Sequence, residues 1–135
     1  PAESNAKPGD TMTLQDILTS ITKDVADLPD TETTALTKDN FEYFAFTAMP
    51  DGVEAIAADA LINAVPHSVG LMRAQDAETA KKLAADVEAN LNPAKWVCVE
   101  AEKTAVLVHN CTVLLVMSWS NVTDALTANF NALWS

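Results

Sequence analysis

One arginine and two histidines occur among 135 residues, and the arginine shares a single stretch, AVPHSVGLMRAQD at residues 64–76, with one of the histidines. His67 beside Ser68 raises the question of acyl transfer, which needs serine and histidine within hydrogen-bond reach and a third group to orient the ring. The run HSVGLMR reads as a strand, and parity then puts His67, Val69, Leu71 and Arg73 on one face and Ser68 on the other. Neighbours that point apart cannot pass a proton between them. At about 3.3 Å per strand residue, His67 and Arg73 also stand roughly 20 Å apart, too far to hold one small substrate together. No catalytic residue is assigned. His67 is expected at the start of the strand and Arg73 at its end, as an ion-pair partner for Glu100 or Glu102. A hydrolase would need His67 to meet a partner distant in sequence.

Other chemistries find less support. His67, Cys98, His109 and Cys111 offer metal-ligand atoms, but no C-x-x-C or H-x-x-x-H spacing sets two of them on one side of an ion, so no metal is expected. The three glycines, Gly9, Gly52 and Gly70, are isolated. Phosphate-cradling loops and nucleophile elbows need glycines in clusters, so nucleotide cofactors and α/β-hydrolase chemistry are not expected. Cys98 and Cys111 allow one disulfide at most, and their expected places on a strand and on a distant turn argue against it. Asn110-Cys-Thr and Asn121-Val-Thr match the glycosylation triplet but read more economically as a turn residue and a helix cap.

Charge narrows the partners. Eight Lys plus Arg stand against 19 Asp plus Glu, a formal charge of −11. Acids spread through every element repel phosphate backbones and anionic lipid heads, so nucleic acid is not an expected partner. No apolar run approaches the eighteen or so residues needed to cross a bilayer. PAESNAKPGD has neither the charged nor the apolar region of a leader, so any targeting segment is expected upstream.

These residues need elements to position them. Residues 1–12, small, polar and proline-containing, read as a tether, and 13–135 as one domain. Leu14, Ile17, Leu18, Ile21, Val25 and Leu28 recur at helical spacing behind Thr13 as N-cap and Asp16 in capping-box position. DTETTALTKDN reads as a polar connection and FEYFAFTAMP, rich in aromatics, as a strand. VEAIAADALINA fits either helix or strand, and the MPDG turn before it favours a strand. After the His67 strand, Asp76 caps a helix carrying Ala80, Leu83, Ala84, Val87 and Leu91, which Asn92-Pro93 stops. KWVCVEA, TAVLVHN and CTVLLVMSW follow as three strands, and a helix from Val122 with Asn121 as cap closes the chain. The expected class is α+β, a two-layer sandwich of a mainly antiparallel sheet of about five to six strands with three helices on one face. One strand-helix-strand crossover is expected between Pro66 and Ala101.

His67-Ser68, Arg73 and the Lys95-Trp96-Val97-Cys98 run give the chain its resemblance to the DUF4358 domain, which covers residues from Leu14 to Phe130. Pro66 and Ala94 depart from the family pattern without obscuring it. The resemblance implies the mature part of a bacterial cell-surface lipoprotein, extracytoplasmic and held to the membrane only through an N-terminal lipid anchor, with no catalytic residues to transfer. If the crossover strands are near neighbours, His67, Lys95 and Trp96 meet at one end of the sheet. A histidine, a cation and an aromatic there would form a site for an anion or a carbohydrate. The function expected is a non-enzymatic binding or interaction domain without a cofactor, its partner a protein, carbohydrate or small molecule. A His67 hydrolase and a structural subunit pairing through a free sheet edge are the alternatives.

Overall fold

The computed structural model describes residues 7–62, 64–95 and 99–135. Its centre is a five-stranded antiparallel sheet in the order β1-β2-β3-β5-β4. These are β1 (Thr31–Ala35), β2 (Glu54–Ala60), β3 (Ser68–Arg73), β4 (Lys103–His109) and β5 (Thr112–Ser118). Three long helices, α2 (Leu14–Thr22), α4 (Ala77–Asn90) and α5 (Ser120–Ala132), accompany two short ones, α1 (Pro8–Thr11) and α3 (Phe41–Ala45). The α+β sandwich expected from the sequence is present.

The helices divide between the two faces of the sheet rather than sharing one. Val69, Leu71, Leu114 and Val116 pack with Ile17, Leu18, Ile21, Leu126 and Phe130 of α2 and α5. The alternate residues Met72, Val113, Leu115 and Met117 pack with Leu83 and Val87 of α4 and Phe41 of α3. Period-two alternation in β3 and β5 thus feeds two cores. All seven residues of β5 are buried, as a central strand covered on both faces requires.

The crossover runs through α4, and among the described residues the next strand is β4. β3 and β4 are both antiparallel to β5, which lies between them. Of the expected strand KWVCVEA, residues 96–98 lie outside the described residues, and Pro93–Lys95 form a turn. FEYFA is helix α3, not a strand: Phe41 and Ala45, four apart, are buried while Tyr43 points outward. TETTA, expected as a connection, is the edge strand β1, in register with β2 from Thr31↔Ala60 to Ala35↔Ile56. VEAIAADA does form a strand, and Thr13 and Asp76 cap α2 and α4 as expected.

Arg73 finds backbone carbonyls instead of Glu100 or Glu102. Its guanidinium donates to Thr112 Oγ1 at 3.1 Å, to Gly9 O at 2.8 Å and to Met12 O. A planar five-donor fork suits such convergent acceptors. Glu102 instead accepts from Ser120 N at 2.9 Å, satisfying the first turn of α5 in place of the expected Asn121 cap. Within the expected tether, residues 7–12 are therefore docked on the domain. Trp134 seals the contact, donating Nε1–H to Asp10 Oδ1 at 2.8 Å and stacking on His109.

Gly9 is buried beneath the Trp134 indole, and a Cβ there would penetrate the ring. Gly9→Ala is expected to cost about 2 kcal/mol through overpacking of this rigid contact. A urea midpoint unchanged from wild type would show that residues 7–12 carry no stability.

Candidate functional site

Register explains how the His67 site is assembled. Asp59 pairs with Ser68 and Ser68 with Met117, so the next row across the sheet brings Thr31, Ala60, His67 and Ser118 side by side on the α2 face. His67 Nδ1 and Ser118 Oγ lie 2.7 Å apart in a hydrogen bond between neighbouring strands. The following row on that face runs through Thr33, Ala58, Val69 and Val116. Above these two rows lies α2, which packs over β2 and β3. Between helix and sheet, towards the edge strand, remains a cavity of about 210 Å³.

The cavity is lined by Gln15, Thr19 and Thr22 of α2, Thr31 and Thr33 of β1, and His67, with Leu18, Leu28, Ala58 and Val69 as its apolar part. His67 is 1% exposed. Burial pushes its pKa from an ordinary 6.5 down to about 4, against a smaller upward pull from the Asp59 carboxylate. The ring is neutral at pH 7. Nδ1 is engaged by Ser118, and Nε2 has no hydrogen bond among the described residues. No fully buried side-chain nitrogen or oxygen among the described residues lacks a partner, so Nε2 keeps some accessible surface, and His67 lines the cavity.

Lys95 lies on the other face of the sheet. Its Nζ donates to Asp59 Oδ2 at 3.0 Å and to Ser68 Oγ at 3.3 Å, and Ser68 Oγ donates to Asp59 Oδ1 at 2.5 Å. The Tyr43 and Phe44 rings of α3 each stand 5.3 Å from the ammonium. His67 and Lys95 thus occupy the same end of the sheet, as expected, but with the sheet between them. Trp96 lies outside the described residues. On its own face His67 stands with a set of hydroxyls from α2 and β1.

No protein-family model, curated protein or solved structure matches this chain. What the site can do therefore follows from its own geometry.

Ser118 is the sequence-distant serine that a His67 hydrolase would require, 51 residues on. It is fully buried, so no acyl group can reach its Oγ, and no carboxylate orients the imidazole through Nε2. A nucleophilic pair needs both access and an orienting group. Among the described residues no cluster of three or more His, Cys, Asp or Glu could hold a metal ion. Cys111 is a free thiol at the β4–β5 turn. Arg73 sits at the far end of β3 from His67, so the two do not converge.

The site residues missed in the sequence were the hydroxyls of Thr19, Thr22, Thr31 and Thr33. The two on β1 are two apart, as one face of a strand demands, but recognising them depends on reading TETTA as a strand.

Proposed function

We propose that this protein is a non-enzymatic binding domain whose small-molecule ligand occupies the cavity beside His67. The observation that carries this reading is a neutral, nearly fully buried imidazole with Nε2 open to an internal space. A ligand that fills this space must bond to Nε2, because covering a polar atom without giving it a partner costs free energy. Ligand sites combine an apolar wall with a few placed polar groups, and this cavity has both. The DUF4358 resemblance supports placing the domain outside the cytoplasm, on the cell surface, held by an N-terminal anchor.

Amide and side-chain NMR of the whole chain against a small-fragment set tests the reading. Saturable shifts confined to Thr19, Thr33 and His67, and lost in His67→Phe, are the expected result. Thr33→Val provides a second, exposed variant if His67→Phe fails to fold. Shifts scattered over the surface, or none, would defeat the reading.

One observation favours a second reading, a subunit that pairs through a sheet edge. β1 is a terminal strand, and Leu61 and Ile62, just beyond its partner β2, are 62% and 64% exposed. A concentration-dependent dimer abolished by Thr33→Pro would establish it.

A further inference from the structure

We propose, building on the binding reading above, that the cavity's ligand is a single uncharged polyhydroxylated ring, a monosaccharide or cyclitol. Among the described residues the lining contains no Asp, Glu, Lys or Arg. A ligand carboxylate or phosphate would lose its hydration without meeting a cation, and an ammonium without meeting a carboxylate. The formal charge of −11 further opposes an anion approaching the mouth.

The polar groups that are present are the ones hydroxyls recognise. Thr31 and Thr33 hydroxyls make no hydrogen bond among the described residues, and each can donate once and accept twice. Gln15 adds an amide, and His67 Nε2 donates or accepts according to its tautomer. Thr19 Oγ1 spends its proton on Gln15 O at 3.0 Å and accepts from Gln15 Nε2 at 3.5 Å, which leaves it one acceptor position and leaves Gln15 its amide oxygen for a ligand. Ligand hydroxyls, which are donors and acceptors at once, can satisfy this mixed set where a pure donor or acceptor cannot.

Shape agrees with chemistry. Ala58 and Val69, in the same row as Thr33, join Leu18 and Leu28 as an apolar wall suited to the C–H face of a ring. A volume of about 210 Å³ holds about seven waters at ~30 Å³ each, room for one sugar ring but not for a chain. The cavity opens beside the edge strand, where Gln15, Thr19 and Thr33 are exposed, so entry needs no rearrangement of the core.

The test compares three ligand classes on the full chain at pH 7 by NMR titration. The neutral arm is glucose, galactose, mannose and myo-inositol, the anionic arm glucuronate, and the cationic arm glucosamine. At least one neutral compound should shift Thr33 and His67 saturably, with the charged compounds weaker by roughly tenfold or more and Thr33→Val weakening the neutral one by about fivefold. The His67 imidazole should titrate no higher with the neutral ligand bound than without it, whereas an anion at Nε2 would raise it. Equal or tighter binding of glucuronate or glucosamine, or occupation by apolar fragments alone, would overturn the ligand class and leave the cavity a binding site. If no compound of any kind shifts these residues, the binding reading falls too.

Discussion

Lys95→Met is expected to destabilise the protein by about 2 kcal/mol, because it leaves the half-buried Asp59 carboxylate at the end of β2 without its cation. The two side chains are 7% and 23% exposed, which separates this pair from the surface pair Lys103–Asp124 at 50% and 59%. Methionine keeps an unbranched side chain of similar length, so the loss reports charge more than volume. Ser68 still donates to Asp59 at 2.5 Å, and this places the expected cost below that of a fully isolated buried ion. Adding Asp59→Asn to Lys95→Met removes the orphaned charge and should recover at least about 1 kcal/mol in a double-mutant cycle. Lys103→Met serves as the control, with an effect of no more than about 0.5 kcal/mol. Equal urea midpoints for the Lys95 and Lys103 variants would mean that the Asp59–Ser68–Lys95 cluster does not fasten the Pro93–Lys95 turn to the sheet.

That cluster also shows where sequence reading reached its limit. Strand parity correctly sent His67 and Ser68 to opposite faces, and the same rule applied to β2 would have placed Asp59 beside Ser68 once the register was known. Register is a property of pairs of strands, however, and one member of the decisive pairing was not visible. β1 reads TETTA, with four polar residues of five, because an edge strand that faces solvent need not alternate apolar and polar residues. Without β1 the cavity has no outer wall, and its threonines look like loop residues. α3 failed for the opposite reason. FEYFA has the aromatics of a strand, and its only helical mark is the spacing of Phe41 and Ala45, a single i, i+4 pair in a helix too short to show a period. The long elements were legible because many residues vote together: Thr13 and Asp76 as caps, the β-rich apolar runs of β4 and β5, and the turn at Asn110, whose φ of +50° is one asparagine tolerates. The division of helices between two faces was not legible, since an amphipathic stripe states that a helix is buried on one side and not which face of the sheet it covers.

Acidification from pH 7 to pH 4 is expected to remove about 3 kcal/mol of stability through His67 alone. The imidazole titrates at about 4 when folded and at its ordinary 6.5 when the chain is unfolded. Between these values the unfolded chain binds the proton and the folded chain does not, so stability rises with pH across the interval and is lost as pH falls from 6.5 towards 4. A gap of about 2.5 units at about 1.4 kcal/mol each sets the magnitude. The cause is desolvation of a ring held between β2 and β5 under α2, with Asp59 pulling weakly the other way. Asp10, Asp51 and Asp76, all lowered from 3.8, lose most of their contribution below that pH, so they overlap only the acid end of the histidine interval. His67→Asn isolates the effect: its amide can take the position of Nδ1 and keep the bond to Ser118, while nothing titrates. The variant should therefore start below wild type at pH 7 and lose far less on acidification, so that the two urea-midpoint curves converge towards pH 4. Parallel curves would mean that the folded protein accepts the proton at His67 readily, and a ring that charges so easily could not be the neutral, desolvated group on which the cavity's preference for uncharged ligands depends.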